Sequence, residues 1–137
     1  MGVILDSSAV IAGERKGETA AELLVRLRQQ LGPGDIAIST VSVVELEHGI
    51  WRARDAAQAE RRRRFLEDVF SVVPACPLTF EIARRAGRID GELRRRGVVI
   101  SFQDLIIGVT ALEFDYAVAT PNVRHFETIP DLVLKPL

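Results

Sequence analysis

Five short apolar runs punctuate this chain, with helix-like stretches between most of them, and that alternation constrains the fold more than any other feature. "VIL" (Val3 to Leu5), "IAIS" (Ile36 to Ser39), "SVVPAC", "YAVAT" and "LVLKP" read as strands. Pro74, inside the third run, argues that this strand lies at an edge, where a missing N–H does no harm. "TAAELLVRLRQQL" sets Leu23, Leu24, Leu27 and Leu31 at helical spacing, and "GPGD" then makes a turn. "IAGERKGE" predicts a short helix breaking into a loop, and helices follow over "VSVVELEHGIWRAR" and "AAQAERRRRFLEDVF". "TFEIARRAGRIDGELRRRG" is a long helix that Gly97 closes, and "SFQDLIIGVTALEF" is a helix apolar enough to be central. "NVRHF" is a helical turn. Strands alternating with helices predict an α/β fold whose mainly parallel sheet is covered on both faces.

At 137 residues, with no internal repeat or linker, the chain predicts one domain over 1–137. The lone Cys76 excludes an intramolecular disulfide, and its apolar neighbours predict an inert thiol; both suit a reducing, cytoplasmic setting. No apolar run approaches the roughly 20 residues that span a bilayer, and the N-terminus has neither a signal-peptide n-region nor a myristoylation pattern. A net charge of −1 excludes a globally basic nucleic-acid binder. All but two of the 18 basic residues are arginine, however, clustered at Arg61 to Arg64, Arg84 with Arg85, and Arg94 to Arg96. Arginine forks suit phosphate, but runs like these also form ordinary solvated helix faces, and composition leaves both readings open.

Ligands of open α/β sheets bind beyond the carboxyl ends of the strands. Asp6 follows the first strand directly, Glu45 lies early in the helix after the second, and Thr120 and Asn122 follow the fourth; Asp104 sits in the first turn of the apolar helix that leads into it. Each has a local explanation. Asp6 can stop a strand and cap a helix, "SVVE" (Ser42 to Glu45) matches a capping box, "SFQD" (Ser101 to Asp104) matches its looser form, and Asn122 suits an N-cap. Their conjunction says more. Three carboxylates brought together repel unless a cation neutralises them, and oxygen donors without a Cys or His cluster suit a hard ion, Mg²⁺ or Mn²⁺. Such a site performs phosphoryl chemistry.

At these residues the chain resembles a known family. "VILDSSAVIA", "VSVVELEHG", "SFQDLIIGVTAL" and "VATPNVRHF" look like the signature segments of PIN domains, and more narrowly of the VapC-type toxins of prokaryotic toxin–antitoxin pairs. The likeness runs from Val3 to about Phe126. It implies a three-layer α/β/α fold with a sheet of about five strands and an acidic pocket at one edge. It also implies a Mg²⁺- or Mn²⁺-dependent ribonuclease, dimeric, and inhibited by a small antitoxin that wraps it and fills the pocket. By motif, Asp6, Glu45 and Asp104 match the metal-holding triad, and Ser7 and Thr120 match the hydroxyl residues that orient it. Asn122 stands where many members carry a fourth acid, which lowers the local negative charge but keeps a carbonyl ligand.

The chemistry implied is in-line attack of an activated water on a scissile RNA phosphate, with no histidine base. His48 and His125 are read as surface or packing residues. Arg124 is the cation nearest the pocket by sequence, a candidate contact for substrate phosphate or an antitoxin carboxylate. Trp51 predicts a core position, or a groove for a partner. Two other readings stay in view: a non-catalytic interaction module whose acids only cap helices, and a metal-dependent phosphatase or nuclease with another substrate. A phosphatase with Asp6 as nucleophile wants a second aspartate where Ser8 stands.

Overall fold

The computed structural model describes all 137 residues and contains five strands: β1 (Val3–Leu5), β2 (Ile36–Ser39), β3 (Ala75–Cys76), β4 (Ala117–Thr120) and β5 (Leu134–Pro136). Six helices connect them: α1 (Ser7–Arg15), α2 (Ala20–Leu31), α3 (Thr40–Trp51), α4 (Ala56–Val72), α5 (Phe80–Arg95) and α6 (Phe102–Phe114), with one 3-10 turn at Val123–His125. The strand order is β3-β2-β1-β4-β5, and every pairing is parallel. The sheet is therefore wholly parallel, one step beyond the mainly parallel expectation. β3 lies at an edge, with Pro74 just outside it, so the proline costs no ladder bond.

Strand periodicity explains the layers. Val3 and Leu5 point to one face and Ile4 to the other, because side chains alternate along a strand. On the first face Val3 and Leu5 join Val10 of α1, Leu23 and Leu27 of α2, Leu46 and Ile50 of α3, and Phe65, Leu66 and Val69 of α4. On the second, Ile4 joins Ile82 and Ala86 of α5, Ile106, Ile107 and Val109 of α6, and Phe126 and Ile129 beyond β4. This is the three-layer α/β/α arrangement. Leu5, Ile38 and Ile106 are essentially fully buried, and each such side chain contributes about 1.5–3 kcal/mol. Gly108 lets α6 approach the segment after β4; a Cβ there would collide with the end of Ile129.

Helix starts follow local chemistry. Thr19 and Glu22 form a complete capping box on α2, the Asp55 carboxylate accepts from the Gln58 N–H at 2.8 Å, and the Thr79 hydroxyl accepts from Ile82 at 3.1 Å. Gly97 follows α5 with φ +76°, the left-handed conformation that favours glycine. Successive connections run from β1 to β3 in one direction and from β4 to β5 in the other, so β1 and β4 flank the point where the winding reverses. The crevice beyond their carboxyl ends is where such sheets hold ligands.

Candidate active site

Asp6 leaves β1 at that crevice and occupies the N-cap position of α1, yet its side chain makes no capping bond. It is instead held by hydroxyls. Ser8 donates to Oδ2 at 2.7 Å, and Thr120, the last residue of β4, donates to the same oxygen at 2.9 Å. Parallel pairing brings them together: Leu5 is in register with Ala119, which sets Asp6 beside Thr120. Oδ1 has only a 3.5 Å contact with the Ser7 hydroxyl. A hydroxyl has one proton, and that of Ser7 goes to the closer acceptor, Glu45 Oε2 on α3. Asp6 is thus a carboxylate only 5 % exposed, with one oxygen saturated by two donors and the other without a full donor.

Glu45 reaches this point because α3 begins one turn earlier than "SVVE" suggests. Ser39, the last residue of β2, caps it by accepting from the Val41 N–H at 3.2 Å. Ser42 is therefore not a cap, and its buried hydroxyl has no partner. The capping-box reading of Ser42 and Glu45 fails, and Glu45 turns to Ser7. Asp104 approaches from α6. Ser101 caps that helix, accepting from the Asp104 N–H at 3.2 Å, while the Asp104 carboxylate does not return the bond. That carboxyl is pushed above the usual carboxylate range. Desolvation is the main cause and repulsion from Asp6 and Glu45 adds to it; the Ser101 hydrogen bond and His125 oppose it. Asp104 thus feels the charges of Asp6 and Glu45, which come from two other segments.

The acids do not close on a common point: no three Asp, Glu, His or Cys side chains converge as a ready-made cage. The donor set nevertheless fits a hard cation. It is all oxygen, includes an Asp6 oxygen without a full donor, and carries repulsion that a divalent ion would relieve. Magnesium suits an open set like this, because it keeps several waters and takes few protein carboxylates.

Other predicted residues fall into place unevenly. Asn122 precedes the 3-10 turn but makes no side-chain cap; its backbone N–H donates to Thr120 Oγ1 at 2.9 Å, and its side chain is exposed. Arg124 is exposed and without an ion-pair partner. His48 is exposed. His125 does not pack into the interior: its half-exposed ring puts Nδ1 3.5 Å from Asp104 Oδ2. Trp51 is no core residue either, being 84 % exposed, while its neighbour Ile50 is buried. The helix presents Ile50 inward, and one residue later it has turned about 100° away. Cys76 is half-buried, and burial pushes its thiol up, which keeps it protonated and inert.

Sequence reasoning missed Ser8 and the approach of His125. Ser8 figured only as the residue that is not a second aspartate. Its signal is a hydroxyl two positions after a strand-end acid, where the first helical turn carries it back over the carboxylate.

A PIN-domain family model matches residues 3–131 of the chain. Ribonuclease VapC of Rickettsia bellii is 30% identical over 132 residues, 96% of this chain and 93% of the relative. Ribonuclease VapC10 of Mycobacterium tuberculosis is 38% identical over 132 residues, 95% and 90% of the two. Among solved structures, VapBC2 of Rickettsia felis, bound to a DNA fragment from its promoter, superposes with a TM-score of 0.83 at 22% identity, covering 99% of this chain and 98% of the other.

Proposed function

The chain belongs to the PIN-domain family, and from that premise we propose that it is a divalent-metal-dependent endoribonuclease acting as the toxin of a toxin–antitoxin pair. One observation carries the catalytic part of this reading. Asp6 and Asn122 stand at helix-cap positions without capping, and Glu45 lies in no capping box. Purely structural acids would behave like Asp55, whose carboxylate meets its helix N–H.

In this reading Asp6 and Asp104 hold the cation, Mg²⁺ or Mn²⁺, with Glu45 as a direct or water-bridged third acid. The ion supplies a Lewis acid that lowers the pKa of a water and neutralises charge at the scissile phosphate. Thr120 and Ser8 lock the Asp6 carboxylate in one orientation, and Ser7 ties Glu45 to the same edge; such supports tune the groups they hold. Asn122 offers a neutral carbonyl or amide to water or substrate. Arg124, unpaired on the adjacent turn, is placed by sequence for phosphate or a partner's carboxylate.

A small antitoxin and a second copy of the chain are the protein partners of this reading. A cleft of about 510 Å³ between α1, α3 and α4 supports the first: Val10, Ile11, Leu46 and Phe65 line it, and it leads to Glu45. Exposed apolar residues such as Val44 and Trp51 on α3 suit a partner. No helix is long and apolar enough to cross a membrane, and the protonated Cys76 fits the cytoplasmic placement we propose.

The test is induced expression in a bacterial host, followed by mapping of RNA 5′ ends. New ends should appear with the native chain and be absent with Asp104→Asn at equal protein level. The same ends from both chains would contradict the reading.

A further inference from the structure

Five of the nine arginines in the runs that dominate the sequence are committed to ion pairs. Arg62 meets Glu14 of α1 at 3.2 Å, Arg63 and Arg64 share Glu60, Arg85 meets Glu113, and Arg94 meets Asp90. Outside these runs, two consecutive unpaired cations stand together at one helix end. Arg15 ends α1 and Lys16 is its C-cap residue; both are exposed and neither is in an ion pair. Lys16 acts on Glu18 only through space, and that carboxylate is already held by Arg26 at 2.8 and 2.9 Å.

Both cations border a second cleft, of about 540 Å³, whose walls include Ser8, Ile11, Pro121 and Asn122. No carboxylate lines it, although it opens beside the acidic site. Ser8 is one hydrogen bond from Asp6 Oδ2, and the Asn122 backbone reaches the same oxygen through Thr120. Ile11, Ala12 and Pro121 give it apolar wall, and with the Ser8 proton already committed to Asp6 its free donors are the Arg15 guanidinium, the Lys16 ammonium and the Asn122 amide. That chemistry takes an anion. A strand cut at Asp6 carries its next phosphate only one nucleotide away.

We propose that this cleft is the subsite for the RNA phosphate adjacent to the scissile one, with Arg15 and Lys16 as its cations. The inference rests on the ribonuclease reading above. It also moves the substrate contact from the arginine runs to an isolated pair that composition does not highlight. Arg15 and Lys16 complement the carboxyl end of the α1 dipole as well. That role alone predicts lower thermal stability on neutralisation and no change in how RNA affinity depends on salt.

The experiment measures anisotropy of a labelled, mixed-sequence single-stranded RNA in EDTA, over a range of salt. It compares the native chain with Arg15→Gln/Lys16→Gln and with Arg63→Gln/Arg64→Gln, which removes equal charge from α4. Each phosphate contact on a single strand contributes about 0.7 to the slope of log K against log salt. The first double variant should flatten that slope by about 0.7, the contribution of the one phosphate held there, and the second should leave it unchanged. An unchanged slope in the first, or equal flattening in both, overturns the subsite. So does loss of binding to polyglutamate with RNA binding intact, which would assign the cleft to an acidic protein partner. If the native chain cuts total RNA in Mn²⁺ while the slopes agree, only the subsite fails. If the native chain neither binds nor cuts RNA, the function itself fails with it.

Discussion

Thr120→Val is the sharpest probe of what holds the acidic site together, because it removes one hydroxyl and little shape. Thr120 is fully buried; its Oγ1 donates to Asp6 Oδ2 at 2.9 Å and accepts from the Asn122 N–H at 2.9 Å. Losing a hydrogen bond to a charged, buried acceptor costs about 1.5–3 kcal/mol, and stranding the partly buried Asn122 N–H adds about 0.5–1 kcal/mol. Ser8 keeps its own bond to Oδ2, so the sum falls at about 2–4 kcal/mol. With an unfolding entropy of about 2.1 cal/mol/K per residue, 137 residues lose about 3.5 °C of Tm per kcal/mol, so Tm should drop by about 7–14 °C. Thr120→Ser keeps the hydroxyl and should cost about 1 kcal/mol for the missing methyl. Urea and thermal unfolding measure both, and a double-mutant cycle isolates the charge: in an Asp6→Asn background the Thr120→Val cost should shrink by at least about 1 kcal/mol. If Thr120→Val costs no more than Thr120→Ser, or as much in the Asp6→Asn background as in the native one, the hydroxyl does not hold that carboxylate.

Asp104→Asn should raise Tm in EDTA at neutral pH, because the folded carboxyl titrates above its unfolded value and the folded state binds more protons between the two. That deficit grows as pH rises through this window, so the gain should vanish as pH falls below the unfolded value of about 3.9, which a pH series of melts would reveal. Mn²⁺ at about 100 times its Kd should stabilise the native chain by about 2.7 kcal/mol, near 9 °C, and the Asp104→Asn chain far less; calorimetric melts distinguish them. Ser42→Ala should be neutral or stabilising, since its buried hydroxyl has no partner, whereas Ser39→Ala should cost about 0.5–2 kcal/mol in the same urea titration.

Most strands and helices were legible because period and punctuation agreed: "VIL" and "IAIS" are pure β runs, and Gly97 does end α5, whereas in "SVVPAC" helix α4 runs on through Val72 and only Ala75–Cys76 is strand. Asp6, Glu45 and Asp104 were legible as candidates because a parallel sheet sends its strand ends to one edge. Local pattern misled at Ser42. The motif S-x-x-E is present, but the strand hands over to the helix at Ser39, so the true cap lies three residues upstream. Trp51 misled for a different reason, since residue type predicts burial while helical phase decides it, and Ile50 takes the inward position. The proton assignments that join Ser7 to Glu45 and Ser8 to Asp6 are tertiary facts with only weak sequence signals.

The most direct measurement is cleavage of total bacterial RNA by the purified native chain and by Asp6→Ala, each in Mg²⁺, in Mn²⁺ and in EDTA. Asp6→Ala removes the one carboxylate that is both deeply buried and supported by two hydroxyls. Discrete fragments should appear only with the native chain and only with a divalent ion. Fragments that persist in EDTA, or with Asp6→Ala, would contradict a metal-dependent site built on Asp6.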